Sequence, residues 1–291
     1  MIDPIDIIAD NSIAHIKEIS QKNKSSFNIK PLLQGFSLDA INKVAFGLDT
    51  KCYKGENEDL ILCTQKLMEG FAPSGLVEDF FFQVFFHLPE LTPGGFWNEY
   101  ALRFAKLTKD VCDERDAKNI HIGDFCDTLR KLKLEAKPPI TEPMINSQGM
   151  IFITAGYETT SNTMGAMMYF LAKNPDVQEK LYEEILDVVG DDHITYETIR
   201  DLAYLEASID ETLRMHPPVI AHFRSCVKDC VIKGVPFKKG TNIQLAIQAT
   251  HMDPELFPEP EQFKPERFLK ENAHNIVPYS FRPFGAGPRV C

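Results

Sequence analysis

Apolar positions recur at helical spacing through most of the chain and at strand spacing only in one late stretch. Ile5, Ile8, Ile16 and Ile19 fall on one face of a helix over residues 5–21, since residues three and four apart share a face. A second helix is expected from Pro31 to Phe46, with Gly47 as its stop. Leu60, Leu67 and Phe71 mark a third, and Trp97, Tyr100, Phe104, Leu107 and Val111 a strongly amphipathic fourth. Between these two lies a dense aromatic run, Phe71, Phe80, Phe81, Phe82, Phe85, Phe86 and Phe96. It reads as core or as the apolar lining of a pocket. Arg130 to Lys137, running into Pro138-Pro139, reads as a solvated basic connector.

The longest helical stretch opens at Thr141, a residue type that caps N-termini, with Pro143 tolerable in the first turn, and runs to Lys173. Met150 to Ala155 is apolar throughout, which predicts burial on several sides. Gly156 interrupts it, where glycine costs about 1 kcal/mol relative to alanine. Glu158, Thr159 and Thr160 follow in the same apolar setting and need polar partners. One reading is a packing contact at Gly156 with the threonines bonded back to the preceding turn. Asn174-Pro175 starts the next helix, with Val177, Leu181, Ile185 and Val188 as its buried face and Gly190 as its end. Leu202, Leu205, Ile209 and Leu213 define a helix over about 201–215. In it Glu211 and Arg214 are three apart and can meet on one face. Burial of that carboxylate would call for the fork-shaped, permanently charged guanidinium beside it.

After Pro217-Pro218 the period changes. Val227–Phe237 and Thr241–Ala249 predict a small antiparallel sheet over about 219–249, with Ile243, Leu245 and Ile247 on one face. The Pro-rich stretch to Pro283 reads as coil with one short helix near Asp253–Phe257. A coil of that length in a compact domain calls for a function.

Composition narrows the options. The chain has 291 residues, 44% of them hydrophobic, enough for a large core. Its net charge of −11, from 31 basic and 42 acidic residues, leaves no basic face for nucleic acid. The seven cysteines contain no CxxC pair, so neither a zinc site nor a disulfide framework is suggested, and cytosol-facing thiols fit best. Met1-Ile2-Asp3-Pro4-Ile5-Asp6 is too acidic for a signal peptide, and no run of about 18 apolar residues exists to span a membrane.

The final stretch, Phe284-Gly285-Ala286-Gly287-Pro288-Arg289-Val290-Cys291, places a cysteine behind a glycine-rich turn and an arginine, a setting suited to a metal-binding thiolate. It follows, in order, Ala155-Gly156-Tyr157-Glu158-Thr159-Thr160, Glu211-Thr212-Leu213-Arg214 and Phe263-Lys264-Pro265-Glu266-Arg267-Phe268. Each motif alone is weak; the four in this order and spacing resemble the cytochrome P450 family, in particular its animal microsomal branch, from about Phe27 onward. The resemblance implies one partial domain over 1–291, mainly α with a small β portion, a cytochrome P450-like fold incomplete at both ends. The membrane anchor, early sheet and first helices of such relatives, and the segment after the cysteine, are not among these residues.

The resemblance further implies haem b (iron protoporphyrin IX) with Cys291 as the axial iron ligand. Arg224, Phe284, Gly285, Gly287 and Arg289 would complete the cofactor site, the two arginines at the propionates. Gly156 would allow a kink that makes room for dioxygen, with Thr159 and Glu158 relaying protons. Glu211, Arg214 and Arg267 would lock the core beneath the haem. Phe152, Ala155, Val219 and Ile220 would line an apolar substrate pocket, and the aromatic run over 71–96 its roof and a membrane-dipping element. His216 and His222 lack ligand spacing and read as structural or surface residues. The implied activity is insertion of one oxygen atom from O2 into a lipophilic small molecule. Electrons would come from an NADPH-dependent reductase at the cytosolic face of the endoplasmic reticulum membrane. The alternatives are a non-catalytic truncated P450-like protein unable to hold haem and, less favoured because of the Glu158–Thr159 pair, a haem-thiolate isomerase or dehydratase.

Overall fold

The structure is a computed structural model that describes residues 2–22, 26–69, 98–190, 192–288 and 290–291. It is mainly helical, with two small antiparallel sheets, and it divides into two compact units, residues 1–161 and 162–291.

The first unit contains α1 (Ile2–Lys22), α2 (Lys30–Phe46), α3 (Glu58–Glu69), α4 (Asn98–Lys118), α5 (Phe125–Glu135) and the first two-thirds of α6 (Glu142–Lys173). α2 carries a proline in its first turn and ends where Gly47 turns left-handed at φ 67° and donates its N–H to the Lys43 carbonyl, while the Leu48 N–H reaches the Asn42 carbonyl. It is buried almost all round, from Leu32 through Asp39 and Asn42 to Phe46. Leu38, Phe46, Phe104, Ile153 and Tyr157 make the centre of the core; each such side chain withdrawn from water is worth about 1.5–3 kcal/mol. The buried Asp39 carboxylate accepts from the Thr50 hydroxyl at 2.5 Å and the N–H groups of Cys52 and Tyr53 at 2.8 and 2.9 Å. It thereby pins the short 3-10 turn Cys52–Lys54 against α2.

That turn comes so close that a Cβ on Gly35 would lie 2.5 Å from the Cys52 carbonyl oxygen. A Cβ on Gly156 would meet the Ile41 side chain rather than backbone, its Cδ1 at 2.9 Å and Cγ1 at 3.0 Å. Gly35→Ala is therefore expected to destabilise by about 1–3 kcal/mol, since backbone must shift, and Gly156→Ala by clearly less. Urea unfolding followed by circular dichroism ranks the two; the reverse order would show that Gly156, not Gly35, marks the tighter approach.

Two expectations in this unit are corrected. Arg130–Glu135 is not a linker but the second half of α5, whose N-cap Asp124 accepts from the Asp127 N–H. The run Met150–Ala155 is not buried on several sides: Ile153 is fully buried, while Ile151 and Phe152 are 52% and 37% exposed and Ala155 is exposed. The buried stripe is Ile145, Gly149, Ile153, Tyr157 and Ser161, the four-residue repeat of one helix face, with Met150 partly buried beside it. α6 continues through Gly156, which packs against Ile41 of α2. The aromatic run over 71–96 and Trp97 lie outside the described residues.

The second unit begins within α6 and continues with α7 (Pro175–Val188), α8 (Tyr196–Asp201) and α9 (Ala203–Met215). α8 opens with a capping box in which Thr195 and Thr198 each accept the other's backbone N–H, two orphan donors satisfied at once. The core gathers Val177, Leu181, Tyr204 and Phe263, with Phe263 stacked on Phe170 at 5.0 Å. Ile185, expected on the buried face of α7, is 37% exposed.

The sheet is two ribbons rather than one. β1 (Ala221–Ser225) pairs with β4 (Asn242–Ala246), Arg224 opposite Ile243, while β2 (Cys230–Ile232) pairs with β3 (Val235–Phe237). The alternation of Ile243 and Leu245 persists to the fully buried Ile247, but Ile247 already begins α10 (Ile247–His251). Asp253–Phe257 forms turns closed on the Asp253 carbonyl, not a helix; short 3-10 turns occur instead at Pro265–Phe268 and Ala273–Asn275.

Candidate active site

The cysteine loop is shaped by its glycines. Gly285 and Gly287 adopt φ of 85° and 106°, where a side chain would be strained. The loop is closed by the Gly285 N–H on the Arg282 carbonyl (3.0 Å), Val290 on Gly287 (3.2 Å) and Cys291 on Phe284 (3.1 Å). The Cys291 thiol is exposed, and the Phe284 ring is 53% exposed. Arg289 lies outside the described residues.

β1 supplies the neighbouring groups. The Arg224 guanidinium donates to the Phe223 carbonyl at 2.9 Å and reaches the Ala286 carbonyl of the loop at 3.5 Å. His222 lies against Gly285, where an added Cβ would approach its ring to 3.1 Å. Burial, together with the positive charges of Arg224 and Arg282, holds the His222 imidazole below its usual range. His216, at the end of α9, is exposed.

Beside the loop stands a histidine that sequence reasoning did not single out. His251, fully buried at the end of α10, accepts the Arg282 N–H at Nε2 over 3.1 Å. Its Nδ1 and the Arg282 Nε are buried with no hydrogen-bond partner among the described residues. Burial above all pushes the His251 imidazole down to about 4 from 6.5. The unfolded chain therefore takes up this proton first as the pH falls: stability present above about 6.5 is lost as the pH drops towards 4. His251→Gln keeps an acceptor without a titrating ring. Its loss of stability between about pH 7 and about pH 4.5 should be smaller than that of the unsubstituted chain; equal losses would show that the buried ring is not the source.

Beneath lies the lock formed by α9. Glu211 and Arg214 are both fully buried and joined through two hydrogen bonds of 2.8 Å. Arg214 also donates to the carbonyls of His251 (2.9 Å) and Pro260 (2.8 Å), with its guanidinium 5.4 Å from the Phe257 ring centre. Glu211 further accepts the Lys264 N–H (2.9 Å) and Arg267 Nε (3.3 Å). The structure thus brings Glu211, Arg214 and Arg267 together and ties them to the coil that leads to the cysteine.

On α6, in the first unit, the polar residues expected at a dioxygen site have protein partners. The Glu158 carboxylate is bound by Lys30 Nζ at 3.1 Å and Gln34 Nε2 at 2.7 Å, both from α2. The Thr159 hydroxyl donates to the Ala155 carbonyl at 2.5 Å, the back-bonding that a threonine inside a helix favours. Phe152 stacks on Phe125 at 4.2 Å. In the second unit, Val219 and Ile220 are 44% and 61% exposed. A cavity of about 290 Å³ in the first unit is lined by α1, α2 and α3 with Tyr157, and none of the four expected pocket residues borders it. No group of three or more possible metal-ligating side chains occurs among the described residues, and no described helix is long and apolar enough to cross a membrane.

Comparison with known proteins identifies the family. The family model for cytochrome P450 matches residues 4–291. Cytochrome P450 3A41 of Mus musculus is 32% identical over 308 aligned residues, covering 100% of this chain and 59% of that protein. Cytochrome P450 3A12 of Canis lupus familiaris is 32% identical, with 97% and 58% covered, and cytochrome P450 3A29 of Sus scrofa 30%, with 97% and 58% covered. The chain thus spans under two-thirds of the length of these relatives. The chain belongs to the cytochrome P450 family.

Proposed function

We propose that this chain carries the haem-thiolate part of a monooxygenase that inserts one oxygen atom from O2 into a lipophilic small molecule. The observation that carries the reading is the exposed Cys291 thiol behind a loop with two left-handed glycines, in a chain that matches the family model from residue 4 to residue 291. The donor set fits haem b. Cys291 offers a single soft ligand, Phe284 an exposed ring beside it, Gly285 and Gly287 a backbone that a flat cofactor can approach. The exposed Arg224 and the orphaned Nε of Arg282 offer donors for acidic groups, and Arg289 adds a further cation. When bound, haem supplies electron uptake and dioxygen activation.

The chain's own residues orient, exclude water and move protons. Thr159 can hand on a proton from Oγ1 once that atom leaves the Ala155 carbonyl. Glu158 must first release Lys30 and Gln34 to join such a relay, so its resting role is to hold α6 against α2. Phe152, Ala155, Val219 and Ile220 are apolar and open to solvent, as surfaces that receive a lipophilic substrate need to be. Glu211, Arg214 and Arg267 set the position of the coil before the loop. An NADPH-dependent reductase is the electron donor in this reading, and the site of action is the cytosolic face of the endoplasmic reticulum membrane.

The test is a reduced carbon-monoxide difference spectrum of the haem-supplemented chain. A Soret band at the thiolate position, lost in Cys291→Ala, is the expected result. Failure of the folded chain to take up haem would overturn the reading.

A further inference from the structure

A second pair of sulfurs, far from the cysteine loop in sequence, is built for different chemistry. Cys112 on α4 and Cys126 on α5 hold their Sγ atoms 3.0 Å apart, about 1 Å beyond a bonded separation of ~2.05 Å. The two helices are fixed at this point. Arg115, one turn from Cys112, binds both oxygens of Asp124, the residue that caps α5 two positions before Cys126. The sulfurs are thus held in contact by the fold rather than by chance side-chain rotation.

The two thiols differ in environment. Cys126 is fully buried. Cys112 is half-buried and borders a cavity of about 20 Å³, which it shares with Asp116, Arg130, Lys133 and Glu142. That volume admits one small polar molecule, since a water needs roughly 10–15 Å³. The hydrogen bond from Cys126 holds the Cys112 thiol below its usual range against the opposing effect of burial, and Arg130 and Arg115 favour its anion while Asp116 opposes it. Cys126 is held up, by its bond to Cys112 and by burial, and keeps its proton. Cys112 is therefore the nucleophile and Cys126 the resolving thiol.

We propose that Cys112 and Cys126 form a peroxide-responsive disulfide that staples α4 to α5. The Cys112 thiolate attacks one oxygen of hydrogen peroxide, the O–O bond breaks, and Cys112 becomes a sulfenic acid as hydroxide leaves and is protonated to water. Cys126 then attacks the Cys112 sulfur; the S–O bond breaks, and the hydroxyl departs as a second water with the Cys126 proton. Two thiols and one peroxide give one disulfide and two waters.

The test needs no haem and so stands apart from the monooxygenase reading. The reduced, folded chain is treated with dilute hydrogen peroxide, alkylated and digested with trypsin, which separates Cys112 from Cys126 at Arg115 and Lys118. The expected product is one peptide joining Cys112 to Cys126, two hydrogens lighter than its parts and released by dithiothreitol. The same treatment in urea should not favour this link over others. No link in the folded chain, or the same link formed equally in urea, would overturn the proposal. In Cys126→Ser, a dimedone-type probe should label Cys112; in Cys112→Ser, Cys126 should stay unlabelled. The opposite pattern would overturn the assigned roles.

Discussion

Arg214→Ala is expected to destabilise the chain by about 3–5 kcal/mol, the cost of breaking a buried ion pair from one side. The magnitude follows from what the substitution strands. Glu211 has no solvent exposure, so its charge would keep only the Lys264 N–H and the longer contact to Arg267. The carbonyls of His251 and Pro260 would lose their donor as well. Arg214→Lys retains the charge but not the fork, and one ammonium cannot serve a two-point carboxylate contact and two carbonyls placed around a planar group. Its loss should fall between those of the alanine variant and the unsubstituted chain. Arg267→Ala should cost only about 1 kcal/mol, because its 3.3 Å contact is the weakest of the set and the side chain is partly solvated. Urea denaturation of the three variants tests the order. If Arg267→Ala proved as damaging as Arg214→Ala, the lock would centre on a different residue from the one the geometry selects.

Arg115→Ala should destabilise by a comparable amount, about 3–5 kcal/mol. Arg115 is 4% exposed and donates to both oxygens of Asp124 at 2.7 Å and to the Phe46 carbonyl at 2.6 Å, with Asp127 at 3.4 Å. One guanidinium thus ties α4 to the cap of α5 and to the last turn of α2. The same cluster predicts an acid response. Burial raises the Asp127 carboxyl, but the N–H groups of Gly123 and Ile122, with Arg130 and Arg115, outweigh it and bring it down to about 2 from 3.8. The folded-state value lies below the unfolded one, so this contribution is fully present above about pH 3.8 and is lost as the pH falls through about 2. Asp127→Asn should be less stable than the unsubstituted chain near neutral pH, and the gap should narrow in that acid window. A gap that did not change with pH would mean the carboxylate charge contributes nothing there.

The helices were legible because their signals are local. Pro31 and Gly47 bracket α2, Asn174-Pro175 starts α7, and Thr141 with Pro143 opens α6. The Glu211–Arg214 pair was legible for the same reason, three positions on one helix face, although its complete burial was not. Arg130–Glu135 was misread because charge alone suggested a linker; the buried Cys126 and Leu129 just before it lie three apart on one helix face, and Arg130 spends its charge on Asp116 and Asp127. Ile247 continues the period-two pattern of β4, yet the backbone turns helical there, since alternation sets which face a side chain takes and not where the ladder stops.

The sequence by itself determined the family, the order of the helices, the glycine-rich turn before Cys291 and the acid–arginine pair of α9, all properties of neighbouring residues. The tertiary structure alone decided the partners. Glu158 is held by Lys30 and Gln34 from well over a hundred positions away, Arg115 reaches back to Phe46, Gly35 lies against the backbone of the Cys52–Lys54 turn, and Cys112 meets Cys126. Backbone propensity and hydrophobic period act over a few residues and can be read along the chain. A buried charge or thiol is satisfied by whatever the packed core brings within about 3 Å, and that choice is made only when the helices close on one another.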